Sequence, residues 1–509
     1  MLAGGGSNQG RRLYRSSLGL AVLAVLMIRP VVAETNPACA IAVTGATVID
    51  GNGGVPLRNA TVLVREGRFV AIGAGAQVQV PNCAKRINAR GKFIVPGFID
   101  TNVHVAMPTQ PVDYARYFER LSDLAVEGAQ MHLKYGVTSM RDSYGVLRPL
   151  LDARDRINCG ETAGARLFVA GNIVGWGGNF SRSFRGRGPE DWYEAWANEQ
   201  VTHGVGELLS WQSPEEIAKA VDRYIDLGVD FVKIGVTDHD HNWPALMFSE
   251  RQLNAIVRAV HARGKVAEAH ATSPEGMVMA MNAGVDLIQH PEVIGVPITD
   301  EVLAMLDARK AICSLHTNNH GGRAWQEVLA AQARKQADAK ASAGESASQL
   351  RQWREPSITD KARQDKQLAD NSQVFRDNAI KIMATDCIIT TATDNSMGRP
   401  PELVEKPNQW RAREPGLGTL AAVEVLVELG MSPIQAITAG TRNGAIALHM
   451  QDQLGTVEAG KIADMVILDA DPLRDIGNIR RIHMVMKDGG IIDRERLPDN
   501  PVYYRPQEQ

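Results

Sequence analysis

The sequence predicts an α/β chain: a (β/α)8 TIM barrel with a small β-sandwich domain formed by both termini. Three observations point there. The middle of the 509-residue chain alternates apolar, strand-like runs with amphipathic helical patterns, as repeated βα units around a parallel sheet do. The strand-like runs end near His104, Arg141, Val174, Lys233, His270, His290, His316 and Asp394, which makes the eight that a closed barrel of this type needs. Glycine-punctuated β-rich segments bracket that middle at both ends, which suggests one small sandwich built from the two.

Taken in order, residues 1–33 read as a signal peptide. Arg11, Arg12 and Arg15 precede an apolar run at 18–28, and Val31-Val32-Ala33 supplies a small-residue cleavage site. The run is short for a bilayer span, so an uncleaved anchor is the weaker alternative, and Glu34 stands where a lipoprotein would carry cysteine. Cleavage removes four arginines and no acids, which takes the formal charge from −3 to −7. The chain is therefore expected to be exported, periplasmic or extracellular, with no stable membrane anchor afterwards.

The sandwich is expected over 34–92 and 450–509. Strand runs at 41–43, 60–64 and 69–72 alternate with turns at 50–54 and 65–67, and the texture returns at 465–469 and 483–490. The barrel is expected over 93–449, with helices such as 214–227 and 250–263 between its strands. Two insertions exceed ordinary loop length. Residues 177–212, rich in Arg, Trp and Gly, follow the third strand; residues 317–378, charged and alanine-rich, follow the seventh. Both leave strand C-termini and so project from the end of the barrel where active sites lie. Most of their length reads as solvated helix and loop, although such insertions also furnish lids and pocket walls.

The formal charge of −3 offers no electrostatic footprint for nucleic acid. Five cysteines are too few and too scattered for a disulfide scaffold or a zinc finger. Cys39 and Cys83 share the small β-domain, where an exported protein can pair them. Cys159, Cys313 and Cys387 read as reduced residues in or near the barrel core.

Chemistry concentrates at the strand ends. In the run VPGFIDTNVH at 95–104, Asn102 and His104 lie two apart on a strand and point together into the barrel mouth. Lys233 interrupts the apolar strand DFVKI, where a buried ammonium is costly unless it is paired or neutralised. His270 and His290 each end a strand, and Asp394 follows the run at 388–392. Imidazoles, a carboxylate and a lysine at the C-terminal ends of strands 1, 4, 5, 6 and 8 make a metal-ligand constellation. His239, His241, His316, His320, His203 and Trp176 lie where a substrate could meet them, or are merely structural; His316, Trp176 and His239 are retained as substrate-binding candidates. Phe180, Trp192 and Trp196 line a pocket or pin the insertion. His132, His261, His449 and His483 read as structural, and Glu268 and Glu275 as supporting or surface groups.

These residues resemble the amidohydrolase superfamily, whose first strand carries a His-x-His pair after a V-P-G-x-I-D lead. The C-terminal half resembles it equally, through GMSP at 430–433, AGTRN at 439–443, and GTVEAGKIAD at 455–464 followed by DPL. The resemblance runs from about residue 40 to 490. It implies a strand-4 lysine carboxylated by carbon dioxide, so that Lys233, as N6-carboxylysine, bridges two divalent metals. Zinc is the expected metal, with manganese, cobalt or iron(II) as alternatives. His104 and Asp394 would hold the more buried ion, and His270 and His290 the more exposed one. Asn102 replaces the family's usual first histidine and is a neutral, weaker ligand for zinc-like metals. The phenylurea hydrolases resemble this Asn-x-His variant.

The implied reaction is hydrolysis of a carbonyl–nitrogen bond in an amide, peptide, carbamate or urea. Hydroxide held between the metals would attack, and Asp394 would act as proton shuttle. The expected partners are a small-molecule substrate and further copies of the chain in a homo-oligomer. One rival is a deaminase on the same fold, against which Lys233 counts. The other is a binding protein whose site has decayed at Asn102, against which the remaining ligand set counts.

Overall fold

The computed structural model describes residues 39–107, 114, 116–178, 180–181, 192–238, 245–323, 325–326, 329–330, 372–397 and 415–498. The segment 1–33 expected to be a signal peptide, His239, His241, and most of the insertion at 317–378 lie outside the described residues. No described helix is long and apolar enough to cross a membrane.

The chain opens with strands β1 (Ile41–Val48), β2 (Leu57–Arg65), β3 (Arg68–Ala74), β4 (Lys85–Asn88) and β5 (Phe93–Pro96). These join the late strands β16 (Met465–Leu468), β17 (Ile482–Lys487) and β18 (Gly490–Ile491) in a single sheet ordered β18-β17-β16-β5-β1-β2-β3, with β4 also on β1. The two ends of the chain meet where β16 runs antiparallel to β5, Met465 opposite Pro96. Early and late strands thus share one eight-stranded sheet, where a two-layered sandwich was expected. The length of β1 allows this. Its first half pairs with β4 and its last residues with β5, while β2 runs along its other edge. Val43, Val62, Val64, Phe69, Ile94, Met465 and Ile467 pack together as its apolar core.

The middle is mixed α/β with parallel sheets. A four-stranded sheet contains β6 (Phe98–His104), β7 (Val137–Asp142), β8 (Arg166–Val169) and β15 (Asn395–Ser396). A six-stranded sheet runs β14-β13-β12-β11-β10-β9 through Ile388–Thr391, Ile312–Leu315, Leu287–Gln289, Ala267–His270, Val232–Gly235 and Ile173–Val174. Two chain segments belong to both sheets. The third strand breaks after Val169 and resumes as β9 against β10, and the eighth breaks after Thr391 and resumes as β15 against β6. The first break is set by Tyr224, whose hydroxyl donates to Ala170 O at 2.7 Å and accepts from Asn172 N at 2.6 Å. Gly171 sits there at φ 73°, and a side chain on it would overlap that hydroxyl.

The helices follow from their caps. Ser213 accepts from Glu216 N while Glu216 reaches back to Ser213 N, with Pro214 at the first helical position, so the helix Pro214–Ile225 starts where it does. It presents Ile217, Val221, Tyr224 and Ile225 to the core. Glu250–Ala262 repeats the device with Ser249 and Gln252. Both end one or two residues before the periodicity alone suggests.

Cys39 and Cys83 are paired, their Cα atoms 5.8 Å apart, across the parallel register of β1 with β4. Cys313 and Cys387 are paired as well, at 6.0 Å, which corrects the expectation of two reduced residues. Their sequence separation of 74 conceals that β13 and β14 are neighbours with Ile312 opposite Ile388. Cys159 is free and exposed at the end of the helix Leu147–Asn158, not in the core.

Candidate active site

Parallel strands deliver their C-terminal ends to one edge, and the chemistry-bearing side chains gather there. His104 closes β6 and His270 closes β11; His290 and His316 directly follow β12 and β13, and Lys233 sits inside β10. Asp394 occupies the break in the eighth strand. His104, Lys233, His270, His290, His316 and Asp394 line one cavity of about 340 Å³. Two of them hold left-handed backbone, His290 at φ 38° and Asp394 at φ 53°, a conformation kept only when the surroundings over-determine it. The determinants are visible. His290 N donates to Ser314 O at 2.8 Å, and Asp394 N donates to Asn102 O at 2.9 Å.

The side chains pair among themselves. His104 Nε2 meets Asp394 Oδ1 at 2.8 Å, and its Nδ1 lies 3.2 Å from Tyr144 O. His270 Nδ1 meets His290 Nε2 at 2.9 Å, while His270 Nε2 lies 3.2 Å from Asp238 O. The Trp176 indole packs edge-on to His270 with centroids 4.5 Å apart and donates to Thr237 O at 2.8 Å. Gly235 makes room for it, since a Cβ there would strike the indole. Asn102 is fully buried behind the cavity; its amide nitrogen lies 2.9 Å from His316 Nε2 and 3.4 Å from Asp394 Oδ1. Of the other candidates, His203 stands outside the cavity lining, whereas His320 is part of it. Phe180 packs against Tyr114, and Trp196 against Tyr114 and Phe118, so these two secure the insertion, while Trp192 is 81% exposed.

Burial and like charges disfavour the charged forms of His290 and Lys233. His290 takes a proton far less readily than an ordinary imidazole, first because it is buried and then because His270, His316 and Lys233 surround it. Burial likewise lowers the Lys233 pKa, against the pull of Glu268 and Asp394. Behind the ligand candidates Asp100 accepts from Asn102 N, Thr393 Oγ1 and Thr419 Oγ1 at 3.1, 2.9 and 2.6 Å. This ties the first strand to the segment carrying Asp394. Burial raises its pKa to about 6.

The sequence does not announce the network beneath Lys233. Glu268, wholly buried, bridges Arg141 Nη2 at 2.7 Å and Lys233 Nζ at 3.8 Å. The Arg141 guanidinium lies over the Phe231 ring, 3.9 Å from its centroid, and donates to Ala447 O. The signal was the strand period, because Glu268 is two residues from His270 and shares its face. Glu275 is exposed on the following helix. A second buried carboxylate, Glu292, accepts from His316 N at 2.7 Å and faces His320 Nε2 at 3.4 Å. It lies in a loop, where periodicity gives no face.

Imidazoles, a carboxylate and an amine of weakened basicity suit zinc-like cations. Among the described residues no three His, Cys, Asp or Glu side chains already meet at a common coordination point. The donors do fit such a group. His290 Nδ1 is buried with no hydrogen-bond partner, which is costly for a ring nitrogen unless something else receives its lone pair.

Comparison with known proteins agrees with this geometry. The model of the amidohydrolase family matches residues 93–492. Ochratoxinase of Aspergillus niger is 26% identical over 482 residues, covering 89% of this chain and 86% of the relative. A solved structure of molinate hydrolase superposes with a TM-score of 0.79 at 30% identity, covering 93% of this chain and 99% of that one. Phenylurea hydrolase B follows with a TM-score of 0.77 at 30% identity, covering 92% of this chain and 100% of that one.

Proposed function

The chain belongs to the amidohydrolase family, and from that premise we propose that it is an exported, metal-dependent hydrolase of carbonyl–nitrogen bonds. The observation that carries the reading is the convergence of His104, Lys233, His270, His290 and Asp394 on one cavity. The parallel sheets are read as one (β/α)8 barrel, joined where the third and eighth strands each belong to both.

In this reading His104 and Asp394 hold one divalent ion and His270 and His290 another, with Lys233 as N6-carboxylysine between them. Bound there, the ions would supply Lewis acidity toward the substrate carbonyl and toward a water. The remaining work belongs to the side chains. Asp394 takes a proton from the attacking water at a carboxylate oxygen and passes it to the leaving nitrogen. A carbon–oxygen bond thereby forms as the carbon–nitrogen bond breaks. His104 Nε2 and Asp394 Oδ1 stand 2.8 Å apart, close enough for both to reach one ion. Met107, Ile173, Trp176, Val293 and Phe375 give the cavity an apolar wall, suited to an aryl or alkyl substituent and to keeping bulk water out.

Amide, peptide, carbamate and urea substrates all meet that description, and the likeness to phenylurea hydrolase B and molinate hydrolase supports starting with ureas and molinate. The two cysteine pairs support an oxidising compartment. The test is a screen of dipeptides, N-acyl amino acids, anilides, phenylureas and molinate. At least one should be hydrolysed, with activity lost to a chelator and restored by Zn²⁺ or Mn²⁺. Turnover indifferent to the chelator, or none across the panel, would count against the reading.

A further inference from the structure

We infer that Asn102 is not a metal ligand in this protein but a positioning residue, whose amide N–H groups hold Asp394 and His316 in place. The inference rests on the metal-dependent reading and departs from the family's use of this strand position. It begins from the two ends of one amide. The nitrogen end lies 3.4 Å from Asp394 Oδ1 and 2.9 Å from His316 Nε2; the oxygen end is buried without a hydrogen-bond partner, but unlike His290 it belongs to a residue that does not line the cavity.

Chemistry fixes which end is which. A carboxylate only accepts hydrogen bonds, so the amide atom turned toward Asp394 has to be the donor nitrogen. Rotating the amide by half a turn would set two oxygen acceptors against each other and forfeit a bond to the carboxylate. With the NH₂ group so placed, His316 Nε2 acts as an acceptor, and the imidazole proton belongs on Nδ1. The neutral state this requires suits a ring 4.8 Å, centroid to centroid, from that of His290. An NH₂ group has no lone pair for a cation. The strand-1 position therefore contributes hydrogen bonds at the point where a histidine would contribute a ligand.

The rest of the framework agrees. Asn102 O accepts from Asp394 N at 2.9 Å, so backbone and side chain of one residue both grip the aspartate. His316 is in turn anchored through its own backbone N–H on buried Glu292 at 2.7 Å. The connected path Glu292–His316–Asn102–Asp394 links the loop after the sixth strand to the proton-carrying carboxylate.

The test is a crystal structure of the full chain loaded with Zn²⁺, read together with zinc counts on variants at saturating zinc. We expect Asn102 Nδ2 to stay within hydrogen-bond distance of Asp394 and His316, and Oδ1 to lie well beyond the coordination distance of about 2.2 Å. Asn102→Ala should keep the wild-type number of zinc ions, while His104→Ala loses one. On the best substrate of the screen, Asn102→Ala should lower kcat by about 10–100-fold with KM changed less than threefold, as befits a group acting through Asp394. Should the alanine variant not fold, Asn102→Ser is read in the same way. Asn102 Oδ1 within coordination distance of zinc, or an Asn102 variant that loses an ion as His104→Ala does, overturns the inference and leaves the metal-dependent reading intact. Wild-type protein that takes up no zinc overturns that reading, and the inference with it.

Discussion

Replacing Glu268 by glutamine isolates the charge beneath the site. The side chains of Glu268 and Arg141 are 0% and 1% exposed and meet at 2.7 Å, and Lys233 approaches the other carboxylate oxygen at 3.8 Å. Glutamine keeps the volume, so no cavity opens and packing is preserved. What disappears is the carboxylate that meets the buried Arg141 guanidinium at 2.7 Å. Breaking a buried pair by removing one partner costs about 3–5 kcal/mol, a large share of the roughly 5–15 kcal/mol that stabilises an ordinary domain. Urea unfolding of Glu268→Gln and wild type should therefore show a large drop in midpoint with the slope unchanged. Arg141→Met combined with Glu268→Leu removes both charges and should recover most of that loss, since apolar replacement of a whole buried pair is often near neutral. A loss below about 1 kcal/mol for the single variant, or a double variant worse than the single one, would refute the argument.

Three further outcomes follow from the same geometry. His132 donates from Nδ1 to Gly128 O at 2.7 Å and accepts from Asn395 at Nε2, 2.9 Å away, with burial lowering its pKa from 6.5 to about 4. Its contribution is fully present above pH 6.5 and is lost as pH falls toward 4, because the unfolded chain takes the proton first. The stability difference between wild type and His132→Gln should shrink by about 3 kcal/mol over that window, and the difference is needed because Asp100, raised to about 6, gives the opposite slope. A difference independent of pH would mean the ring takes its proton as readily folded as unfolded, and would refute the burial argument. Asp394→Asn should abolish turnover while sparing the fold and the ion on His270 and His290; more than about a tenth of wild-type kcat would place the proton transfer, typically 10²–10⁴-fold, on another group. Lys233→Ala should lose metal and activity together, with short carboxylic acids restoring part of both, and a fully active alanine variant would remove the carboxylated lysine from the account.

Much of this site is legible in the sequence because parallel strands impose a rule: whatever ends a strand shares an edge with whatever ends the others. His104 and His270 end theirs on the residue expected, and His290, His316 and Asp394 follow one to three residues after theirs. Lys233 is found because a charge in an apolar strand demands a reason. The sequence leaves Glu268 between a supporting and a surface role, and its place two residues before His270 on one strand decides for the first. Glu292 and the Cys313–Cys387 pair depend on which strands are neighbours and in what register, information carried by backbone pairing across long separations. The breaks in the third and eighth strands are similarly hidden, since Tyr224 and Asn102, which fix them, lie far away in sequence.

The most direct test of the central claim is activity measured against metal equivalents. Protein stripped with a chelator is titrated with Zn²⁺ while hydrolysis of the best substrate from the screen is followed. If His104, Lys233, His270, His290 and Asp394 act together as a two-ion site, stripped protein should be inactive and the rate should climb to a plateau near two zinc ions per chain. A plateau at one ion with Lys233 unmodified would instead fit the deaminase pattern, and hydrolysis that persists in the stripped protein would contradict metal dependence altogether.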